Sequence, residues 1–219
     1  MEKEDLSSGG RYKACGGAMA WELIEKIKFP VDKIDRVVEK LILHHIDGEI
    51  YSKQGKGAVI WRDKFDKFLT DMATTSGAKL KQNEELIEIK KVKSGYLINT
   101  SKSKYSANYV IAADGVNSPT LRKLKWEKFN KEDLILTITQ EMGLNKKEID
   151  ERLGNDEIHL FFGIKDLIPL GYAWLFPKND KITVGWGNQI GKIKNSRREF
   201  TKFLNIPLVN KSIKKAKLI

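Results

Sequence analysis

The chain has 219 residues, 41% hydrophobic and 32% charged, which fits one large or two small globular domains and excludes a disordered chain. No apolar run reaches the ~20 residues of a membrane-spanning helix, and the polar start Met1-Glu-Lys-Glu-Asp5 is unlike a secretory signal. A lone Cys15 and three histidines supply neither an internal disulfide nor a zinc cluster, and suit a reducing cytoplasm. The net charge of +11 attracts anionic partners in general. Lysines and acidic residues are interleaved except beyond Lys192, and no helix-turn-helix, RNA-recognition or zinc-finger pattern is present, so a nucleic-acid partner is not expected.

In chain order, Ser7-Ser8-Gly9-Gly10 and Cys15-Gly16-Gly17 permit unusual backbone angles and close approach to a ligand. Apolar residues at helical spacing predict a helix over 19–27, stopped before Phe29-Pro30. The pattern over 37–60 predicts strands, with a hairpin of 37–44 and 49–51 about Asp47-Gly48 and His44 and His45 at ordinary sheet positions. Phe65, Phe68, Leu69 and Met72 predict one apolar face of a helix over 62–77, closed by Gly77. A short strand is expected from Lys79-Leu80, and a hairpin over 85–92 and 96–100 about Ser94-Gly95.

Residues 105–113 predict a buried strand, because Tyr109-Val-Ile-Ala-Ala113 runs straight into Asp114-Gly115. A carboxylate at the carboxyl end of such a strand sits where open α/β sheets bind ligands; the plainer alternative is an ordinary Asp-Gly turn. Ser118 and Arg122 are expected to cap and anchor the next segment. Beyond residue 125 the pattern is mainly β: strands over 134–140 and 157–164, and a strand pair 171–178 and 181–187 turning at Asn179-Asp180. Helices are expected over 146–153, capped by Asn145, and over 196–204, capped by Ser196, followed by a basic tail. The change near residue 125 predicts two lobes.

Four stretches then belong together: Cys15-Gly16-Gly17; Ile60-Trp61-Arg62 with the helix after it; Asp114-Gly115 with Ser118; and Tyr172-x-Trp174-x-Phe176-Pro177 followed by Gly185-Trp-Gly187. In this order they resemble the geranylgeranyl reductase family of the FAD-dependent hydroxylase superfamily. The resemblance implies an α/β (α+β) fold: a partial FAD-binding Rossmann-like lobe over 1–35 and 61–124, plus an antiparallel β-sheet substrate lobe over 36–60 and 125–219. It implies FAD as cofactor, with Glu2 on the adenosine ribose hydroxyls, Cys15, Gly16 and Gly17 against the flavin, and Arg62 on phosphate or ribityl oxygens. The backbone near Leu86 would meet adenine, and Asp114 and Gly115 the ribityl chain. Tyr172, Trp174, Phe176 and Pro177 would line a channel for a prenyl chain.

Each of these residues has a plainer alternative. Glu2 is otherwise a solvated charge, Cys15 inert packing, Arg62 a surface partner of Asp66, and the aromatic row plain sheet core. No residue is identified as catalytic, Cys15 being the flavin-side candidate. Gly185-Trp-Gly187-Asn-Gln-Ile-Gly191 is rejected as a dinucleotide fingerprint, since its third glycine comes one position late.

The activity implied is saturation of carbon–carbon double bonds in geranylgeranyl chains of archaeal-type prenyl lipids, with NADPH or a ferredoxin as electron donor and peripheral contact with an anionic membrane. The expected location is cytoplasmic and membrane-associated. The alternatives are an FAD-dependent aromatic monooxygenase or halogenase, and a non-catalytic remnant that does not bind FAD. The family's strand and G-x-G-x-x-G turn are expected ~30 residues before Glu2. Those elements, the later Gly-Asp element and the helical C-terminal region have no counterpart in the sequence. The expectation is therefore an internal piece of a reductase that alone holds FAD weakly.

Overall fold

The computed structural model describes residues 1–6, 13–45, 48–127, 129–164 and 167–219. Ser7, Ser8, Gly9, Gly10 and Asp47 lie outside the described residues. The chain forms two units: residues 1–11 with 66–130, and residues 12–65 with 131–219. The division expected from the resemblance puts 12–35 and 61–65 with the cofactor lobe; here they belong to the larger unit, because β1 (Ala18–Ala20) pairs with β3 (Ile50–Ile60).

The larger unit is built on an eight-stranded sheet. Its strands are β1, β2 (Ile34–His44), β3, β7 (Ile135–Gly143), β8 (Glu157–Phe162), β9 (Gly171–Pro177), β10 (Lys181–Gln189) and β11 (Lys217–Leu218), in the order β1-β3-β2-β8-β9-β10-β7-β11. All neighbours are antiparallel except β2 and β8, whose parallel pairing joins the two halves of the sheet. The β9–β10 hairpin closes at Asn179-Asp180, where Lys178 N–H donates to Lys181 O at 2.8 Å.

The two faces of this sheet differ. On one, Phe161, Ala173, Leu175, Ile182, Val184 and Trp186 pack with Ile149 and Leu153 of α4 (Lys146–Leu153), Phe200 and Phe203 of α5 (Ser196–Leu204) and Val209 of α6 (Pro207–Ile213). Each large apolar side chain fully buried there stabilises the fold by about 1.5–3 kcal/mol. The helices carry the caps that this packing needs. Asn145 and Glu148 form a reciprocal capping box on α4, and Asn195 accepts from Arg198 N–H at the start of α5. The other face carries the alternate side chains, among them Leu160, Trp174 and Phe176, clustered with Val38 and Val59.

In the smaller unit, β4 (Leu86–Val92), β5 (Gly95–Thr100) and β6 (Lys104–Ala107) form an antiparallel meander with Ile89 and Ile98 buried on one side. The N-terminal segment is tied to residues 81–84: Glu2 N–H donates to Lys81 O at 2.7 Å and Glu84 N–H to Glu2 O at 3.0 Å. Glu84 is buried and accepts from Thr100 and Tyr105, which hold its carboxyl below the ordinary value. Helix α2 (Arg62–Thr75) spans the boundary of the two units and ends at Gly77, whose φ of +96° suits only glycine. Helix α3 (Pro119–Lys123) is capped by Ser118, which accepts from Leu121 N–H at 3.0 Å.

Several expectations are corrected. The helix expected over 19–27 starts only at Trp21, as α1 (Trp21–Lys26), because the preceding residues are taken into strand β1. Lys79-Leu80 is not a strand; the neighbouring residues 81–84 pair instead. The α5 cap is Asn195, not Ser196, and the basic tail folds into α6 and β11 around buried Val209. Most consequential, the strand ending at Ala113 stops at Ala107: residues 109–113 form no strand and are largely exposed, having no ladder partner among the described residues.

Candidate substrate and cofactor site

Tyr172, Trp174 and Phe176 stand on alternate positions of β9 and so share one face of the large sheet. Their ring centroids are 5.4 Å apart from Tyr172 to Trp174 and 6.1 Å apart from Trp174 to Phe176, within aromatic contact range. The row is graded in depth: Trp174 is 4% exposed, whereas Tyr172 is 40% exposed and stacks with Phe162 at 5.9 Å. The register places Leu160 opposite Trp174 on β8 and Gly185 opposite it on β10. The apolar row therefore opens at Tyr172 and Phe162 and is buried at Trp174 and Phe176.

The Cys15-Gly16-Gly17 loop closes over the deep end. A β-carbon at Gly16 would lie 2.5 Å from the Phe176 ring and 2.7 Å from Trp174 Nε1, so only glycine lets the loop meet the two rings. Gly17 has φ +82°, and a β-carbon there would collide with the Ile60 carbonyl, while Gly17 O accepts from Ile60 N–H at 3.0 Å. The two glycines thus serve close approach and a left-handed turn. Cys15 is half-buried with a free thiol. Trp174 Nε1 is buried without a hydrogen-bond partner among the described residues.

A buried polar cluster that sequence reasoning missed continues this strand. Lys178, next to Pro177, holds its ammonium 3.2 Å from Glu141 Oε1 and 3.4 Å from the ring centroid of Trp61. Thr183 donates to Glu141 Oε2 at 2.9 Å, and Trp61 Nε1–H to Asp35 at 2.5 Å. Burial pushes the Lys178 ammonium pKa down, and the Glu141 carboxylate opposes it. Arg36, also buried, pairs with Asp150 and Asp156 and donates to Lys178 O. The alternation 172, 174, 176, 178 was the signal that would have put Lys178 on this face.

The expected cofactor residues divide between the units. Cys15, Gly16, Gly17 and Arg62, which opens α2, lie in the larger unit; Glu2, Leu86, Asp114 and Gly115 lie in the smaller. Within the smaller unit, Glu2 Oε1 accepts from Glu4 N–H at 3.1 Å and Leu86 begins β4. Asp114 is exposed and accepts from Thr120 N–H at 2.9 Å. The burial it has raises its pKa, but hydrogen bonds from Ser118 and Thr120 outweigh that and hold the carboxyl below its ordinary value. Gly115 has φ +80° and open space where a β-carbon would stand, so a ligand can reach its backbone.

A large, mainly antiparallel sheet with one helix-packed and one aromatic face, and a small three-stranded unit, resemble the fold of FAD-dependent reductases. No family model matches the sequence. The chain is 30% identical over 177 residues to a digeranylgeranylglycerophospholipid reductase of Methanococcus vannielii, covering 77% of this chain and 43% of that one. It is 27% identical over 222 residues to digeranylgeranylglycerophospholipid reductase 3 of Methanosphaera stadtmanae, covering 92% and 52%. Among solved structures, a geranylgeranyl bacteriochlorophyll reductase-like protein of Thermoplasma acidophilum superposes with a TM-score of 0.77 at 22% identity, over all of this chain and 56% of its own. The chain belongs to the geranylgeranyl reductase family. It spans about half the length of the curated relatives it matches.

Proposed function

We propose that the chain forms part of an FAD-dependent reductase that saturates carbon–carbon double bonds of geranylgeranyl chains in archaeal-type prenyl lipids. The observation that carries this is the graded aromatic row, open at Tyr172 and Phe162 and closed at Trp174 and Phe176 by the Cys15-Gly16-Gly17 loop. Aromatic rings lining one sheet face suit a long apolar chain, each buried methylene adding about 0.8 kcal/mol to binding.

Glu2 and Asp114 are the carboxylates that would accept from the hydroxyls of FAD. Arg62 is the cation for its phosphate or ribityl oxygens, with backbone at Gly16, Gly17, Gly115 and near Leu86 completing the contacts. Open space at Gly115 and the outward carboxylate of Asp114 fit that set. Reduced FAD, when bound there, would supply the hydride for one alkene carbon, and a proton would have to reach the other. The work of this chain is to align the double bond and exclude water, since an isolated alkene is a poor electrophile. NADPH or a ferredoxin is the electron source, and the excess of lysine suits a lipid substrate at an anionic membrane. Among the described residues no helix is long and apolar enough to cross a membrane.

The reading is tested by titrating the purified chain with a digeranylgeranyl lipid and following indole emission. Quenching in the parent chain, lost in Trp174→Phe, supports it. Anaerobic incubation with reduced FAD should then yield lipid that has gained two hydrogens per saturated bond. Quenching that is the same in Trp174→Phe, with no gain of mass, overturns it.

A further inference from the structure

The end of the large sheet at which the aromatic row opens also gathers exposed apolar side chains. β8 and β10 finish there and β7 and β9 begin, with Phe162 opposite Tyr172, Tyr172 opposite Gly187, and Ile135 opposite Gln189. Ile135 leans over Gly187, whose β-carbon would lie 3.4 Å from it, so it shares the sheet face of Tyr172. Phe162 is 36% exposed, Ile135 55%, and Leu170, directly before β9, 51%. At ~4.8 Å per strand the patch is about 14 Å across, and it runs into the buried Trp174 and Phe176. Its backbone is largely taken up: Leu170 N–H donates to Asn188 Oδ1 at 3.2 Å, and Leu170 O accepts from Gln189 N–H at 3.1 Å. These side chains can therefore enter a lipid layer without stranding the backbone groups of Leu170 or of the β8–β9 ladder.

Cations flank the patch. The turns Lys131–Asp133 and Ile190–Lys192 adjoin the starts and ends of these strands and are tied together, Gln189 Nε2 donating to Glu132 O at 2.7 Å. Lys131, Lys192, Lys194, Arg197 and Arg198 are exposed, and none forms an ion pair among the described residues. Glu132 and Asp133 oppose them, but residues 186–198 contain no acidic residue. An acidic protein would answer the cations and leave the apolar patch at their centre without a role. A second copy of this chain would bring another +11 of net charge against the first. An anionic bilayer answers both, since aromatic and aliphatic side chains lie at the headgroup level with lysines on the lipid phosphates. We propose that this rim docks the chain on an anionic lipid bilayer, with Phe162, Leu170, Tyr172 and Ile135 in the headgroup layer. The aromatic row then opens directly into the membrane. That direction of entry rests on the prenyl-lipid reading; the docking itself does not.

Sedimentation with vesicles of phosphatidylglycerol and of phosphatidylcholine tests it, with neither FAD nor prenyl lipid present. The chain should bind the phosphatidylglycerol vesicles about tenfold or more the tighter. Lys131→Glu with Lys192→Glu should weaken that binding about tenfold or more, whereas Lys91→Glu with Lys93→Glu, an equal change of charge on the smaller unit, should weaken it less than about threefold. Ile135→Ser, at a side chain with little packing to lose, should weaken it about threefold or more. Urea midpoints like the parent's verify that the variants are folded. Equal losses in the two lysine pairs would mean that net charge alone binds lipid, and overturn the proposal. So would parental binding in Ile135→Ser, or equal affinity for the two kinds of vesicle. Docking without Trp174-dependent quenching by a digeranylgeranyl lipid leaves the rim standing and counts against the substrate reading; quenching without docking does the reverse.

Discussion

The indole of Trp174 occupies the space that a β-carbon on Gly185, its partner across the β9–β10 ladder, would need. Gly185 is therefore the seat that lets the deepest tryptophan of the aromatic row lie against the sheet. Gly185→Ala should overpack this site and cost about 1–3 kcal/mol, read as a lower urea midpoint. In Trp174→Ala the vacated space accepts the new methyl, so the two changes together should cost less than their sum. Strict additivity in the double-mutant cycle would show that the two residues do not compete for that space.

Gly17 and Gly115 separate backbone strain from steric collision. Both hold a left-handed φ, +82° and +80°, but a β-carbon at Gly17 meets the Ile60 carbonyl and one at Gly115 meets nothing within 4 Å. Alanine at 115 should cost only the conformational term, about 1–2 kcal/mol. Alanine at 17 must also displace the loop that covers Phe176, and its cost should exceed that at 115 by about 1 kcal/mol or more. Equal denaturation midpoints for the two variants would contradict the packing described for the Cys15-Gly16-Gly17 loop.

Lys178 and Glu141 form an ion pair with the ammonium almost wholly out of water. Glu141→Ala leaves that ammonium buried against Trp61 without its counter-charge, and a loss of about 3–5 kcal/mol is expected. Replacing both by apolar residues of similar volume, Lys178→Met with Glu141→Leu, should cost markedly less, because no unpaired charge remains. Chemical denaturation of the single and double variants decides it. A double variant less stable than Glu141→Ala would mean the pair contributes net stability of its own.

Local patterns made much of this fold legible. The β9–β10 hairpin, the Asn145 capping box of α4 and the apolar alternation of Tyr172, Trp174 and Phe176 are each written within a few neighbouring residues. Features that depend on a distant partner were not. Residues 109–113 have the composition of a buried strand, but burial needs a neighbour that the described residues do not supply. Strand pattern was legible over 37–60, but the polar Ser52-Lys-Gln-Gly-Lys56 run of β3 takes its exact register only from pairing with β2. Arg36, Glu141 and Lys178 carry no local sign of burial, and only the folded chain shows them paired in its interior. The same holds for the site: its glycine loop and aromatic row were visible, while the polar cluster behind them was not.

The parallel seam between β2 and β8 should weaken in acid through two histidines. His159 Nε2 lies 2.7 Å from the Leu153 carbonyl, which can only accept, so Nε2 carries the proton and Nδ1 accepts from His44 Nε2–H at 2.9 Å. The rings stack at 5.2 Å, and His44 stacks on Phe161 at 4.5 Å. Burial, and then the neighbouring His159, push the His44 imidazole down to about 4. Burial also lowers His159, against the Leu153 carbonyl and Glu157, with Lys40 adding to the lowering. Both groups titrate lower folded than unfolded, so the unfolded chain binds more protons below about pH 6.5. Stability should therefore be full above pH 6.5, fall as the pH drops toward 4, and lose no more from His44 below that. Allowing for solvent screening at half-buried His44, the loss assigned to it is about 1–2 kcal/mol. The check is the urea midpoint against pH for the parent chain and for His44→Gln, because carboxylates add their own slope at the acid end. The variant should lose less stability than the parent between pH 6.5 and 4, and parallel curves would remove His44 from the seam's acid response.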